Sequence, residues 1–444
     1  MSELALFGGP KAMVSDPGDM FTWPIITQED EDAIVEVLHN RAMSGTDITM
    51  KFEEEFAQWM GVKYALGFSS GTASLQGAMF GIGLGRGDEL ICPATTYWAS
   101  GLQAYTLGAT LVFADVDPET FCIDPKDIER CIGPKTKAIV AVHYLGHPCD
   151  MDPIMEIAKK HNLKVIEDVS HAQGALYKGK MVGTFGDVAA MSLMSGKSFA
   201  CGEAGILVTN DREVYERAIA LGHYERFENE NIQTEELKPF CGLPLGGYKY
   251  RMHQMSSAMA RVQLKYYDER CVEIRKAMNY FWDLLEGVPG IRAHRTNEAE
   301  GTTMGGWYAA HGRYVSEELG GLSVTRFLEA LDAEGLTLHA GLNECLSTHA
   351  LFKFADVYHD GQPTRVVFAD RDVRDLDADL PNSESLGAYS FEVPWFKHYY
   401  PAYIEECANA IKKVVRNYQE LLPGDPGNPE NLGGWHFFSH SKKA

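Results

Sequence analysis

The sequence predicts an α/β fold: a large domain built on a mostly parallel sheet with helices on both faces, followed by a smaller C-terminal α/β domain. Two observations carry this. Between Tyr64 and Asn210, short β-rich runs alternate with helical stretches, the pattern of strands joined by crossover helices. Several runs are apolar almost throughout, as strands buried on both faces must be.

In order, the runs are Tyr64-Ala-Leu-Gly-Phe68, Leu90-Ile-Cys92, Thr110-Leu-Val-Phe-Ala114, Ala138-Ile-Val-Ala-Val142, Leu163-Lys-Val-Ile166, Val188-Ala-Ala-Met-Ser192 and Ile206-Leu-Val-Thr209. Helix-like segments such as Thr72–Leu84 and Asp152–His161 separate them. Beyond Arg251 a long helical stretch, Ser256 to Glu286, is stopped by Gly287 and Pro289 and leads toward the smaller domain. An acidic loop follows at Asp370–Asp379, and an amphipathic helix near Tyr403–Leu422 closes the fold. The expected organisation is an N-terminal arm over 1–22, a large domain over 23–275, a small domain over 276–422 and an irregular tail over 423–444, rich in Pro, Gly and Asn.

Composition narrows the function classes. The 444 residues carry 40 Lys+Arg against 62 Asp+Glu, a formal charge of −22, which disfavours nucleic acid and anionic membranes as partners. No apolar run approaches the roughly 20 residues that span a bilayer, and Met1–Phe7 lacks a basic stretch leading into an apolar one. The nine cysteines are scattered with no C-x-x-C pair, so they read as reduced thiols of a cytoplasmic protein. The 15 histidines show no metal-ligand spacing, and no metal site is expected.

Three motifs carry chemistry. Ser69-Ser70-Gly71-Thr72-Ala73 lies between a strand and a helix, where free N–H groups and the helix dipole hold a phosphate. Taken alone it reads as a plain N-cap. Glu167-Asp168 ends an apolar run, and a carboxylate there points into the crevice where α/β proteins bind ligands. The other reading is a cap or a structural ion pair. Lys197 sits in the Gly-bordered turn Ser192-Leu-Met-Ser-Gly-Lys197. A lysine in apolar surroundings loses proton affinity and becomes a nucleophile toward aldehydes, although most lysines are surface residues.

Together and in this order, these motifs resemble the DegT/DnrJ/EryC1/StrS family of sugar and cyclitol aminotransferases, which use pyridoxal phosphate (PLP). The resemblance runs from Ala5 to Leu422 and includes Gly8-Gly-Pro10, Pro93-Ala-Thr-Thr-Tyr97, Phe113-Ala-Asp-Val-Asp117, Val142-His-Tyr-Leu-Gly146 and Gly247-Tyr-Lys-Tyr-Arg-Met252. It implies the PLP fold-type-I architecture, with a mixed seven-stranded sheet, and a homodimer whose subunits share each active site.

For single residues, the resemblance implies that Lys197 is the Schiff-base lysine and that Asp168 faces the pyridine nitrogen. Tyr97 would stack on the cofactor ring, with Ser170 against the opposite face. Gly71, Thr72 and Ser192 would cradle the phosphate. His171 stands where many members carry Gln, beside the phenolic oxygen, while Gln173 stands at the usual His position. Lys249 replaces an Asn that reaches the partner's phosphate, and His253 replaces a Thr. The Lys249 variant is closer to members acting on keto-cyclitols or free keto sugars. Arg226 and Arg251 are candidates for the donor's carboxylate. The implied reaction moves an amino group from glutamate or glutamine to a keto sugar or keto-cyclitol. The alternatives are a dehydratase or eliminase on the same fold, where relatives replace the lysine with His, or a PLP-binding regulator without turnover. A dehydrogenase would need a G-x-G-x-x-G after its first strand, which is missing.

Overall fold

In the computed structural model, which describes residues 2–435, the alternating region folds into one seven-stranded sheet. Its strands are β1 (Tyr64–Phe68), β2 (Glu89–Pro93), β3 (Thr110–Ala114), β4 (Thr136–Val142), β5 (Lys164–Asp168), β8 (Val188–Ser192) and β9 (Gly205–Thr209), in the order β1-β9-β8-β5-β4-β2-β3. A small hairpin, β6 (Leu176–Tyr177) with β7 (Lys180–Met181), lies outside it. All pairings from β3 through β8 are parallel, and β9 pairs antiparallel to both β8 and β1. The sheet is therefore mixed, with β9 alone reversed. Strands β2, β3 and β9 are buried along their whole length, which explains their near-continuous apolar composition.

Helices α1 (Gln28–His39) and α2 (Asp47–Met60) precede the sheet; α3 (Gly71–Gly81), α4 (Pro125–Cys131) and α5 (Met151–His161) connect its strands, and α6 (Arg212–Gly222) follows the last of them. Helix α3 is rich in small residues and almost entirely buried, since it fills the space between β8 and α6.

Helix α7 (Gln254–Leu284) is 31 residues long and serves two cores. Met259, Ala260 and Tyr267 join the core around the sheet, whereas Ile274, Met278 and Phe281 join a second core. That second core holds the strands β10 (Ile291–Ala293), β11 (His311–Tyr314) and β12 (Ser390–Glu392), with helices α8 (Val324–Ala333) and α11 (Pro401–Arg416). No helix of the described residues is long and apolar enough to cross a membrane.

The division between the cores is not one cut in the chain. Leu342, Cys345, Leu346, Phe352, Val373 and Leu386, expected within the small domain, pack in the core of the sheet domain. This excursion carries the short helices α9 (Ala350–Lys353) and α10 (Pro381–Ser385). Buried ion pairs fasten it. Arg365, fully buried, grips Asp377 at 2.5 and 2.8 Å and donates Nε to the Leu111 carbonyl, and Arg371 grips Glu89. The acidic stretch 370–379 is thus folded down by Asp377 on Arg365 and by its own Arg371 on Glu89, part of it in a 3₁₀ turn at Val373–Ala378, rather than an open loop.

The N-terminal arm belongs to the second core, where Leu4 and Met20 are buried. The Glu334 carboxylate accepts from the Ala5 and Ala12 N–H groups, both at 2.9 Å. At the other end, the Asp425 carboxylate accepts from Ser323, and Gly434 bridges to Asn343. The tail expected over 423–444 is irregular through its described part, and 436–444 lie outside the described residues.

Candidate functional site

The parallel strands end on one side of the sheet, and β5 stands at its centre with β4 and β8 as neighbours. A carboxylate at the last residue of β5 therefore projects into the crevice beyond the strand ends. Strand alternation separates Glu167 from Asp168. Glu167 turns inward, accepts from the N–H groups of Gly183, Phe185 and Gly186 at 2.6–2.7 Å and pairs with His143. That carboxylate is structural. Asp168 faces the opposite way, lining a cavity of about 260 Å³; it accepts from Ser100 Oγ at 2.7 Å and from the Ser170 N–H at 3.1 Å.

Eight of the nine sequence-derived site residues line this cavity: Gly71, Thr72, Tyr97, Asp168, Ser170, His171, Ser192 and Lys197. One end is the N-terminus of α3. Ser70 caps it, its Oγ accepting from the Ala73 N–H at 3.1 Å, so the cap reading of this motif holds and leaves room for an anion beside it. Gly71 lies so close to β8 that a Cβ there would sit 2.5 Å from Ser192 Cβ and 2.7 Å from Ser192 Cα. Only glycine permits that approach, which sets the Ser192 hydroxyl beside the helix N-terminus. Gly71→Ala is expected to push Ser192 away and weaken binding of a phosphate-bearing ligand by about ten-fold or more, about 1.4 kcal/mol. Equilibrium dialysis checks this. Unchanged affinity would show that the two segments need not touch.

The Ser170 side chain joins the strand ends, its Oγ accepting from the Ser192 N–H at 3.0 Å. Gln173 stands behind this wall rather than in it: its Nε2 donates to the carbonyls of Ser192 (2.7 Å) and Ser170 (3.2 Å), and its Oε1 accepts from Ser198. His171 lines the cavity itself. Its Nδ1 accepts from the Leu145 N–H at 3.3 Å, which puts the ring proton on Nε2. Burial, with the Lys197 charge adding to it, holds its pKa well below the ordinary value, so the ring is neutral.

Lys197 is 8% exposed. Burial pushes its ammonium down to about 8, against the opposing pull of the Asp168 carboxylate. The chain around it is held from two sides. Trp23 Nε1 donates to the Lys197 carbonyl at 2.7 Å, and Lys197 Nζ lies 4.3 Å from the centroid of the Tyr308 ring.

Lys249 does not line its own chain's cavity; it is exposed, between the stacked rings of Tyr248 and Tyr250 in sequence. Its segment is docked beside the site, the Ser69 N–H donating to the Tyr250 carbonyl at 2.7 Å. Arg226 is committed elsewhere: buried, it pairs with Glu53 at 2.6 Å. Sequence reasoning missed Ser100, Glu203 and Tyr308, all of which line the cavity. Ser100 lies three residues after Tyr97 in the same motif region, which was the available signal. Tyr308 comes from the second core and had none.

An anion at the α3 N-terminus, a protonated ring nitrogen at Asp168 and an aldehyde at Lys197 are the three chemistries this cavity accommodates.

The profile of the DegT/DnrJ/EryC1/StrS aminotransferase family matches residues 24–410. The GDP-perosamine synthase of Escherichia coli O157:H7 is 39% identical over 247 residues, 55% of this chain and 65% of that protein, so the match spans just under two thirds of its length. A putative L-glutamine:3-amino-2,3-dideoxy-scyllo-inosose aminotransferase of Streptoalloteichus tenebrarius is 31% identical over 95% of this chain and 99% of its own. Among solved structures, an aminotransferase from Psychrobacter cryohalolentis superposes with a TM-score of 0.76 at 28% identity, covering 90% of this chain and all of that one.

Proposed function

Because the chain belongs to the DegT/DnrJ/EryC1/StrS aminotransferase family, whose cofactor is PLP, we propose that it transfers an amino group from glutamate or glutamine to the ketone of a cyclitol or sugar, in amino-sugar or aminocyclitol biosynthesis. One observation carries this reading: Lys197, Asp168 and the Gly71–Ser192 contact line a single cavity.

Bound PLP supplies the electron sink that transamination requires. The chain's residues do the rest. Lys197 Nζ, the amine in the cavity, would hold the cofactor covalently and would carry the proton at the donor's Cα as general acid and base. Asp168 would keep the proton on the ring nitrogen, and Ser100 and the Ser170 N–H keep that carboxylate in place. Gly71, Thr72 and Ser192 bind the phosphate at the head of α3. Tyr97 and Ser170, on the cavity wall, would hold the ring between them, and the neutral His171 would offer its Nε2–H as a donor to the cofactor. The presence of Lys197 weighs against the dehydratase alternative.

The near-full-length relative named for a cyclitol ketone and glutamine supports the cyclitol branch, as does Lys249 in place of the Asn of nucleotide-sugar enzymes. Loading the enzyme with glutamine, removing the oxidised donor and then offering keto-cyclitols and nucleotide keto-sugars in turn tests the substrate class. Amination of nucleotide sugars alone would reject the cyclitol reading.

In this reading Lys249 serves the other subunit's phosphate. Its exposure supports this, as do the exposed Phe240, Leu243 and Leu245 close by, since apolar surface of that kind marks interfaces. Mixing Lys197→Ala with Lys249→Ala under subunit exchange gives dimers with one doubly damaged site and one intact site. Activity is expected to rise above either parent. No recovery, with exchange verified, would mean Lys249 does not act in trans.

A further inference from the structure

Back to back with the Lys197 cavity lies a second one, of about 480 Å³, between the N-terminal arm and the small domain. The two share no lining residue. Phe21, Leu336, Val393 and Tyr403 give the second cavity apolar walls, and Trp395 and Lys397 complete it. Its volume falls among those of small-molecule sites, roughly 300–1,000 Å³.

Lys397 is the anomaly. It is 5% exposed, yet its ammonium has no opposing charge: burial alone acts on it and pushes its pKa down to about 6. Its Nζ lies 3.4 Å from the centroid of the Trp395 ring and donates to the Trp395 carbonyl at 2.8 Å. An ammonium has three donors, and this carbonyl takes one. Glu392 borders the same cavity but makes no ion pair with Lys397 among the described residues. Burial thus leaves the amine mostly uncharged at neutral pH, and a carboxylate entering the cavity would draw a proton onto it and pair with the resulting ammonium.

We infer that this cavity binds a small amphipathic carboxylate, its anionic group on Lys397 and its apolar body between Trp395, Phe21 and Tyr403. The apolar walls favour such a ligand over inorganic phosphate, which would leave them unfilled. Occupancy would be felt next door. Trp395 packs edge-on against Tyr308 at 5.8 Å and donates Nε1 to the Gly306 carbonyl, and the Tyr308 ring lies under the Lys197 ammonium. The ligand is thus one aromatic layer from the site of reaction without entering it.

The test titrates the PLP-loaded enzyme with benzoate, followed by tryptophan fluorescence and calorimetry. Trp395 in the cavity wall and Trp23, 5.6 Å from it, are two of the seven tryptophans, and Trp395→Phe identifies their part of the signal. Benzyl alcohol and inorganic phosphate serve as comparison probes. Benzoate is expected to bind once per chain, about ten-fold or more tighter than either comparison probe, because a charge-assisted bond from a buried donor is worth that factor. Lys397→Met should weaken benzoate by a similar factor, leave transamination at its wild-type rate and leave thermal stability undiminished. Lys397→Arg should retain binding. The inference fails if Lys397→Met binds benzoate as wild type does, which would place the probe in the Lys197 cavity or at random. It fails equally if benzyl alcohol or phosphate matches benzoate, or if benzoate gives no signal up to about 10 mM.

Discussion

Lys197→Ala lowers transamination by roughly 10⁴-fold, the upper end of what one acid–base group supplies, and removes the covalent link between protein and cofactor. The variant should still bind PLP, because the α3 N-terminus, Ser192 and Asp168 remain. Borohydride treatment of the loaded wild-type enzyme, followed by peptide mapping, should label Lys197. The structure makes the mapping informative, since Lys397 is a second buried lysine whose pKa is lowered, and a label there or elsewhere would end the assignment. A pH arm follows from the electrostatics. Only the neutral amine attacks an aldehyde, and burial moves the Lys197 ammonium from the usual 10.5 down to about 8. The rate of PLP capture by stripped enzyme should therefore rise with pH to half its maximum near pH 8. A rise centred above pH 10 would mean that the lysine is solvated when it reacts.

Asp168→Asn should lower turnover by about 10²–10³-fold, the scale of losing one preorganised charge at a reacting centre, while leaving the fold intact. An asparagine keeps both contacts of the wild-type side chain: its oxygen accepts from the Ser170 N–H, and its amide donates to Ser100 Oγ. A neutral amide nonetheless cannot hold a proton on a ring nitrogen. Melting temperature and kcat measured on one preparation separate the two effects. Near-normal kcat would make Asp168 a structural residue like its neighbour Glu167.

Much of the site was legible because its residues lie at strand ends and at one helix start. Tyr64–Phe68, Thr110–Ala114 and Val188–Ser192 are strands at the bounds read from the sequence, since apolar runs of five residues between turn signals have few alternatives in an α/β chain. Gly71, Asp168 and Ser192 then fall at the strand-end crevice by topology alone. Glu167 and Asp168 are adjacent, and the resemblance implied Asp168 as the acid. Which of them faced the cavity depended on the phase of β5 against β4 and β8, and Gly183, Phe185 and Gly186 N–H groups settle Glu167 on the other side.

The sequence by itself determined the order of the sheet-building runs, the position of the lysine and its acid, and the family they resemble. These depend on local periodicity and on motifs a few residues long. Only the tertiary structure decided what closes over them. Tyr308 beneath Lys197, Trp23 on its carbonyl, and the return of residues 342–386 to the sheet core join segments a hundred or more residues apart. No period or spacing encodes such contacts, because they arise when two separate cores, threaded by the single helix α7, bury their apolar faces and bring distant side chains together. The same holds for Lys397: its sequence neighbours Trp395 and His398 do not mark it as buried, and only the packing of arm against small domain encloses a lysine with no carboxylate beside it and so lowers its pKa.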